Sequence, residues 1–215
     1  YGIKPLFFAE TEDAFWFASE AKALVGHAVP FKPREHAVIR FLYGGELPPG
    51  NGSDTFFDGI QQLPPGEALT VRPDGLERLL WYDLRWAAKN IEKPEEPAAV
   101  SQMAARVDSA VKLRLRADVP VGSCLSGGVD SSAIVGTMRS QLDAGGKGEL
   151  HTFSAVYKEK GNFNESEWIK QVVAHSKTTP HYLYPDDVPL TEMFDRMVWH
   201  QDEPFGSTSI YAQWA

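Results

Sequence analysis

Apolar and polar positions follow different rhythms in the two halves of the chain. Pro5-Leu6-Phe7-Phe8-Ala9 and Ala14-Phe15-Trp16-Phe17-Ala18 are apolar runs joined by polar Glu10 to Asp13, which predicts a hairpin. Ser19 to Leu24 predicts a short capped helix. Arg34 to Tyr43 carries Val38, Phe41 and Leu42 and ends at Gly44-Gly45, the pattern of a short helix. Pro64-Pro65-Gly66 turns the chain into Glu67 to Val71. Asp74-Gly75 then turns it into Leu76 to Tyr82, a second hairpin. Residues 1–83 therefore read as β-rich.

Residues 84–97 lack a hydrophobic period. With Lys93-Pro94-Glu95-Glu96-Pro97 they predict an exposed linker. Over residues 98–215 the pattern alternates. Val100, Met103, Val107, Ala110 and Val111 mark one helical face up to about Arg116. Strands are predicted at 121–125, Leu150–Val156 and His181–Tyr184, and helices at 130–142, Asn164–Ser176 and Leu190–His200. Such alternation implies an α/β domain with a parallel sheet covered on both faces, a doubly wound arrangement with ligands at the carboxyl ends of the strands. The polar, glycine-bearing Lys158 to Asn162 is expected to be mobile.

Composition narrows the picture. The 215 residues can bury one sizeable core or two modest ones. A net charge of −8 argues against a nucleic-acid surface. The single cysteine, Cys124, lies in an apolar strand and is expected to be a small buried hydrophobe, with no disulfide inside the chain. No apolar stretch approaches a membrane span and no signal-peptide pattern is visible, so a cytoplasmic protein without membrane contact is expected. Tyr1 opens directly on a strand-like pattern, and the chain stops at Ala215 inside the apolar run Ile210 to Trp214. Both ends read as those of an internal fragment.

The clearest chemistry lies in Leu125-Ser126-Gly127-Gly128-Val129-Asp130-Ser131-Ser132. A strand-like run, Val119 to Leu125, feeds Ser-Gly-Gly, and a helix-like run follows from Asp130. Glycine permits positive φ and close approach of a ligand to the backbone. The hydroxyls of Ser126, Ser131 and Ser132 are donors. A helix start adds free N–H groups and partial positive charge, which suit phosphate. Asp130 supplies a carboxylate that can hold Mg2+ against phosphate oxygens. A serine-capped glycine turn with Asp130 as a first-turn acid would use the same residues structurally. Strand, Ser-Gly-Gly, acid and serine pair in register favour a pyrophosphate grip. No Gly-Lys-Ser/Thr follows, so this is not a Walker A loop, nor is it GxGxxG.

SGGVDSS resembles the PP-loop of ATP pyrophosphatases, which cleave ATP between the α- and β-phosphates and form adenylated intermediates. Further motifs extend the resemblance. They are Tyr1-Gly2-Ile3-Lys4-Pro5-Leu6, Phe17 to Leu24 (FASEAKAL), Gly59 to Gly66 (GIQQLPPG) and Asp202-Glu203-Pro204-Phe205-Gly206. In this order, spanning essentially the whole chain, they resemble glutamine-dependent asparagine synthetases. The resemblance implies that residues 1–83 are the later, β-rich half of an Ntn-type glutaminase domain (α+β), and that residues 98–215 open a PP-loop synthetase domain. It implies ATP and Mg2+, with aspartate and either glutamine or ammonia as substrates, and a β-aspartyl-AMP intermediate. It leaves a homodimer open. It also places the nucleophilic cysteine before Tyr1 and a second acidic loop beyond Ala215, so this stretch alone is expected to be inactive. Relatives of the same architecture that amidate sugars or peptides or close lactam rings remain alternatives, as does a degenerate non-enzymatic homologue.

By the resemblance, Leu125 to Ser132 bind ATP, with Asp130 as catalytic residue and metal ligand. The strand end at Phe153, Ala155 and Val156 contacts adenine, and also reads as ordinary sheet core. Asp202 and Glu203 either shape the aspartate pocket or are solvated loop acids. Glu20 reads as a helix-start acid. His151 and His200 have no ligand-spaced partners and read as structural or surface residues, and His36 and Trp81 read as core or surface packing.

Overall fold

The computed structural model describes residues 2–45, 47–48, 52–89, 91, 94–146, 148–158, 165–187, 189–207 and 209–214. The chain divides into two compact units, Tyr1–Glu92 with Asp195–Ser207, and Lys93–Phe194 with Thr208–Ala215.

In the first unit the predicted hairpin forms as β1 (Phe7–Glu10) and β2 (Phe15–Ala18), paired antiparallel with Phe7 opposite Ala18. A 3-10 turn, Ala21–Ala23, follows where a capped helix was expected, and the Glu20 side chain makes no capping bond. Helix α1 (Glu35–Gly44) stops at Gly45, whose φ of 65° is left-handed and whose N–H bonds Phe41 O at 2.8 Å. β3 (Gln61–Gln62) joins the other edge of β1. As the central strand of the order β2-β1-β3, β1 buries both of its faces. Phe7 and Ala9 enter a core with Ala21, Leu24 and Ile60, and Phe8 stacks on Phe15 at 5.7 Å. The second hairpin is β4 (Glu67–Arg72) and β5 (Gly75–Leu80). The stretch expected as linker then folds in part. Leu84–Ala88 form α2, because the Asp83 carboxylate caps Arg85 N–H at 2.8 Å. Capping without a hydrophobic period is why the pattern missed it.

The second unit begins with α3 (Glu96–Arg114), which carries its proline in the first turn, where a missing N–H costs nothing. Only the C-terminal part of its apolar face is used. Val111 is buried and Val107 packs beside it, whereas Val100 and Met103 are exposed. Then come β6 (Gly122–Cys124), α4 (Val129–Ala144), β7 (His151–Ala155), α5 (Ser166–Ser176) and β8 (Thr179–Leu183). A second 3-10 turn, Pro185–Asp187, leads to α6 (Leu190–Gln201) and α7 (Ser209–Trp214). The sequence placed α5 from Asn164 and a mobile segment up to Asn162. Residues 159–164 lie outside the described set.

The three strands are parallel in the order β6-β7-β8. The expected α/β class with a parallel sheet holds, and among the described residues one face of that sheet is left open. α4 and α5 share one face, because Val135 and Met138 of the first and Ile169 of the second enter the same core as Leu125 and Leu150. Thr152 and Ser154 point to that covered face, while Phe153 and His181, next to Cys124 in register, are exposed on the other. Val111, Leu125, Val135, Met138, Leu150 and Ile169 form the core. The expectation for Cys124 is corrected. It is a free, exposed thiol, because β6 is an edge strand and Cys124 lies on its uncovered face. Among the described residues no helix is long and apolar enough to cross a membrane.

Candidate functional site

The sheet fixes where the glycine loop begins. Leu125 is buried, its N–H bonds Phe153 O at 2.8 Å, and its carbonyl accepts the Ser154 hydroxyl at 2.7 Å. The chain therefore leaves β6 from a rigid point beside the end of β7. Gly127 then takes φ 87°, which L side chains rarely adopt. A Cβ there would meet Trp168 Cβ at 3.1 Å and Glu165 O and Ile169 Cγ1 at 3.2 Å. Gly127 is thus a glycine for two local reasons, conformation and the close approach of α5. Gly128 differs. It stands at φ −68° as the N-cap of α4, and a Cβ there would meet only Ser126 Oγ, at 3.4 Å. Nothing in the fold requires a glycine at 128.

The hydroxyls knit the loop together. Ser126 Oγ and Ser131 Oγ lie 3.0 Å apart, and Gly128 N–H donates to Ser126 Oγ at 3.3 Å. Ser132 Oγ donates to Gly128 O at 2.7 Å, and its N–H reaches the same carbonyl at 3.0 Å. Among the described residues no acceptor meets the N–H groups of Val129, Asp130 and Ser131 in the first turn of α4. Asp130 stands in that turn, exposed, with no ion pair among the described residues. The result is an open turn of backbone donors, flexible hydroxyls and one carboxylate at the carboxyl end of a parallel strand. Chemically it can receive an anion rich in oxygen acceptors.

Beside the loop, β7 ends at Ala155. Val156 packs its side chain against the core and gives its N–H to Leu183 O at 2.8 Å. Phe153 is exposed and stacks on His181 at 4.8 Å. His151 is less isolated than its sequence position suggested. Its Nδ1 lies 2.9 Å from His181 Nε2, and its Nε2 lies 3.7 Å from Glu149. Only the parallel register of β7 and β8 brings these rings together. Among the described residues no group of three or more His, Cys, Asp or Glu side chains could hold a metal. His36 lies 3.5 Å from Asp54, and Trp81 is exposed against Tyr82.

The two acids of the DEPFG stretch are partly buried and hydrogen-bonded. Asp202 accepts from Lys22 Nζ at 2.6 Å and from Lys22 N–H at 3.2 Å, with its side chain 6% exposed. Lys22 also pairs with Glu20 at 2.5 Å. Burial alone would lower the Lys22 pKa, but hydrogen bonds and charge from Asp202 and Glu20 outweigh it and hold the ammonium up. The Lys22 hydrogen bond pulls Glu20 below the ordinary range. Glu203 Oε1 accepts from Phe56 N–H at 2.8 Å, and desolvation raises its carboxyl above the usual glutamate value. These contacts all fall within the first unit. Adjacent acids give no sequence signal for partners so distant along the chain.

A parallel sheet with a glycine turn at a strand's carboxyl end, opening directly into a helix, defines an α/β protein. The chain belongs to the asparagine synthase family, which it matches over residues 102–215; residues 1–82 match the glutamine amidotransferase domain. It is 46% identical to a putative glutamine-hydrolysing asparagine synthetase 2 of Methanocaldococcus jannaschii over 97% of its own length and 39% of that protein. It is 29% identical to the glutamine-hydrolysing asparagine synthetase 3 of Bacillus subtilis, over 94% of this chain and 34% of that one. It is 28% identical to the amidase chyE of Penicillium rubens, over 95% and 31%. The chain thus spans between about a third and two-fifths of these relatives.

Proposed function

We propose that the protein is an ATP-dependent ligase that amidates aspartate to asparagine, drawing nitrogen from glutamine or ammonia and releasing AMP and pyrophosphate. The observation that carries this reading is the Ser-Gly-Gly turn at the end of β6, in a chain that also matches a glutamine amidotransferase domain. In this reading residues 1–83 belong to the glutaminase part, of Ntn type, and residues 98–215 to a PP-loop synthetase part.

Leu125 to Ser132 would hold the ATP phosphates. The N–H groups of Val129, Asp130 and Ser131 offer donors, and Ser126 and Ser131 exchange their mutual contact for phosphate oxygens. Ser131 and Ser132 both also donate to Gly128 O, at 3.2 and 2.7 Å, and so brace the turn as well. The main chain at Ala155 and Val156 would border adenine, since the Val156 side chain is committed to the core. A Mg2+ ion fits one exposed carboxylate beside a phosphate turn, because such ions fill most positions with phosphate oxygens and water. Bound there through Asp130, it would neutralise phosphate charge.

The aspartate side-chain carboxylate attacks the α-phosphorus. The bond from that phosphorus to the α,β-bridging oxygen breaks and pyrophosphate leaves, giving β-aspartyl-AMP. Ammonia then adds to the acyl carbon, loses a proton, and expels AMP. Donors fixed by the sheet suit the first step, because they need no reorganisation as charge shifts to pyrophosphate. AMP formation by the full-length protein against a panel of carboxylates tests the substrate. Aspartate should stand above all others; another carboxylate in its place would keep the ATP chemistry and replace the acceptor.

A further inference from the structure

We propose that Asp202 and Glu203 are positioning residues for coupled amide transfer: they fasten to the amidotransferase-like unit a short segment whose chain neighbours on both sides belong to the synthetase-like unit. The inference rests on the reading above. The segment Asp195–Ser207 groups with residues 1–92, whereas Lys93–Phe194 and Thr208–Ala215 make up the other unit. After leaving the first unit the chain therefore comes back to it once, briefly, and leaves again.

That visit is held by specific chemistry. Asp202 adopts φ 63°, a left-handed conformation that a non-glycine residue keeps only when its surroundings compensate. The compensation is the Lys22 main-chain N–H and ammonium together, on a side chain only 6% exposed. The next residue reaches a different element. Glu203 gives up hydration to accept the Phe56 N–H at 2.8 Å. Upstream, the Trp199 ring lies 5.7 Å from the same Lys22 ammonium. Two adjacent acids thus clamp two separated parts of the amidotransferase-like unit, the 3-10 turn at Lys22 and the stretch around Phe56. A loop that merely filled space would need neither the strained φ nor the desolvated carboxyl.

The test uses the full-length protein and three rates: glutamate released, amide formed from glutamine, and amide formed from ammonia. Asp202→Ala and Glu203→Ala should raise glutamate released per amide formed by at least about fivefold, the lower end of ordinary coupling. Ammonia-dependent synthesis should stay unchanged. Glu203→Gln keeps an oxygen acceptor for Phe56 and should restore the wild-type ratio. Hydrogen exchange over residues 195–207 should quicken in the alanine variants. An unchanged ratio, or equal loss of all three rates, would overturn the proposal. Wild-type protein that forms no amide from either nitrogen source would overturn the functional reading, and this inference with it.

Discussion

Ser154 donates its hydroxyl to the carbonyl of Leu125 at 2.7 Å, so the last residue before the glycine turn is held by the neighbouring strand as well as by its own. Both residues are buried. Ser154→Ala leaves that carbonyl short of a donor and should cost about 1–2 kcal/mol in a urea melt. The turn it anchors should loosen, so the KM for ATP should rise more than kcat falls. An equal loss in both, with unchanged stability, would separate Ser154 from the turn.

The two glycines of the turn should respond differently to alanine. Gly127→Ala combines a left-handed φ with contacts at 3.1–3.2 Å to α5, and should destabilise by about 2 kcal/mol or more. Gly128→Ala meets only a hydroxyl at 3.4 Å, so its cost is confined to a poorer helix N-cap, under about 1 kcal/mol. Its melting temperature should stay near wild type while ATP affinity drops, measured by calorimetric titration. Equal ATP affinity in a folded Gly128→Ala protein would remove phosphate from that position.

Glu203 sets a pH dependence. Burial raises its carboxyl, the Phe56 N–H partly offsets this, and Asp202 adds to the rise. A raised folded pKa means stabilisation that is full below the unfolded value, about 4.3, and is lost as pH climbs through the folded value. At neutral pH the charged carboxylate therefore weakens the native state. Glu203→Gln should melt higher than wild type at pH 7, and the gap should close as pH falls toward 4. A gap that does not change with pH would contradict the burial argument.

Sequence pattern reached the elements whose residues speak for themselves. The β1–β2 hairpin, the Gly45 stop of α1 and the β6-loop-α4 order all follow from local chemistry. What it missed depends on neighbours. Cys124 looked buried because its run is apolar, yet an edge strand with one covered face leaves it in solvent. Val100 and Met103 share a helical face with Val111 but stay exposed, because burial depends on what the rest of the chain lays against each turn. His151 and His181 meet only through the β7–β8 register. Asp202 and Glu203 were legible as a motif, but their partners Lys22 and Phe56 were not.

Asp130 stands exposed in the first turn of α4, outside the stretch that matches the glutamine amidotransferase domain. In the full-length protein Asp130→Asn should cut ATP–pyrophosphate exchange by about 10²-fold or more, as expected for a charge contact made in the transition state. Glutamine hydrolysis should persist. Exchange close to wild type would remove Asp130 from the phosphate chemistry.

The most direct test of the account is the fate of ATP itself. Full-length protein given ATP, Mg2+, aspartate and ammonia should release AMP and pyrophosphate in equal amounts with asparagine, resolved by chromatography of the nucleotide products. ADP and orthophosphate in their place would mean cleavage at the γ-phosphate, and would contradict the assignment of Leu125 to Ser132 as an α/β-cleaving loop.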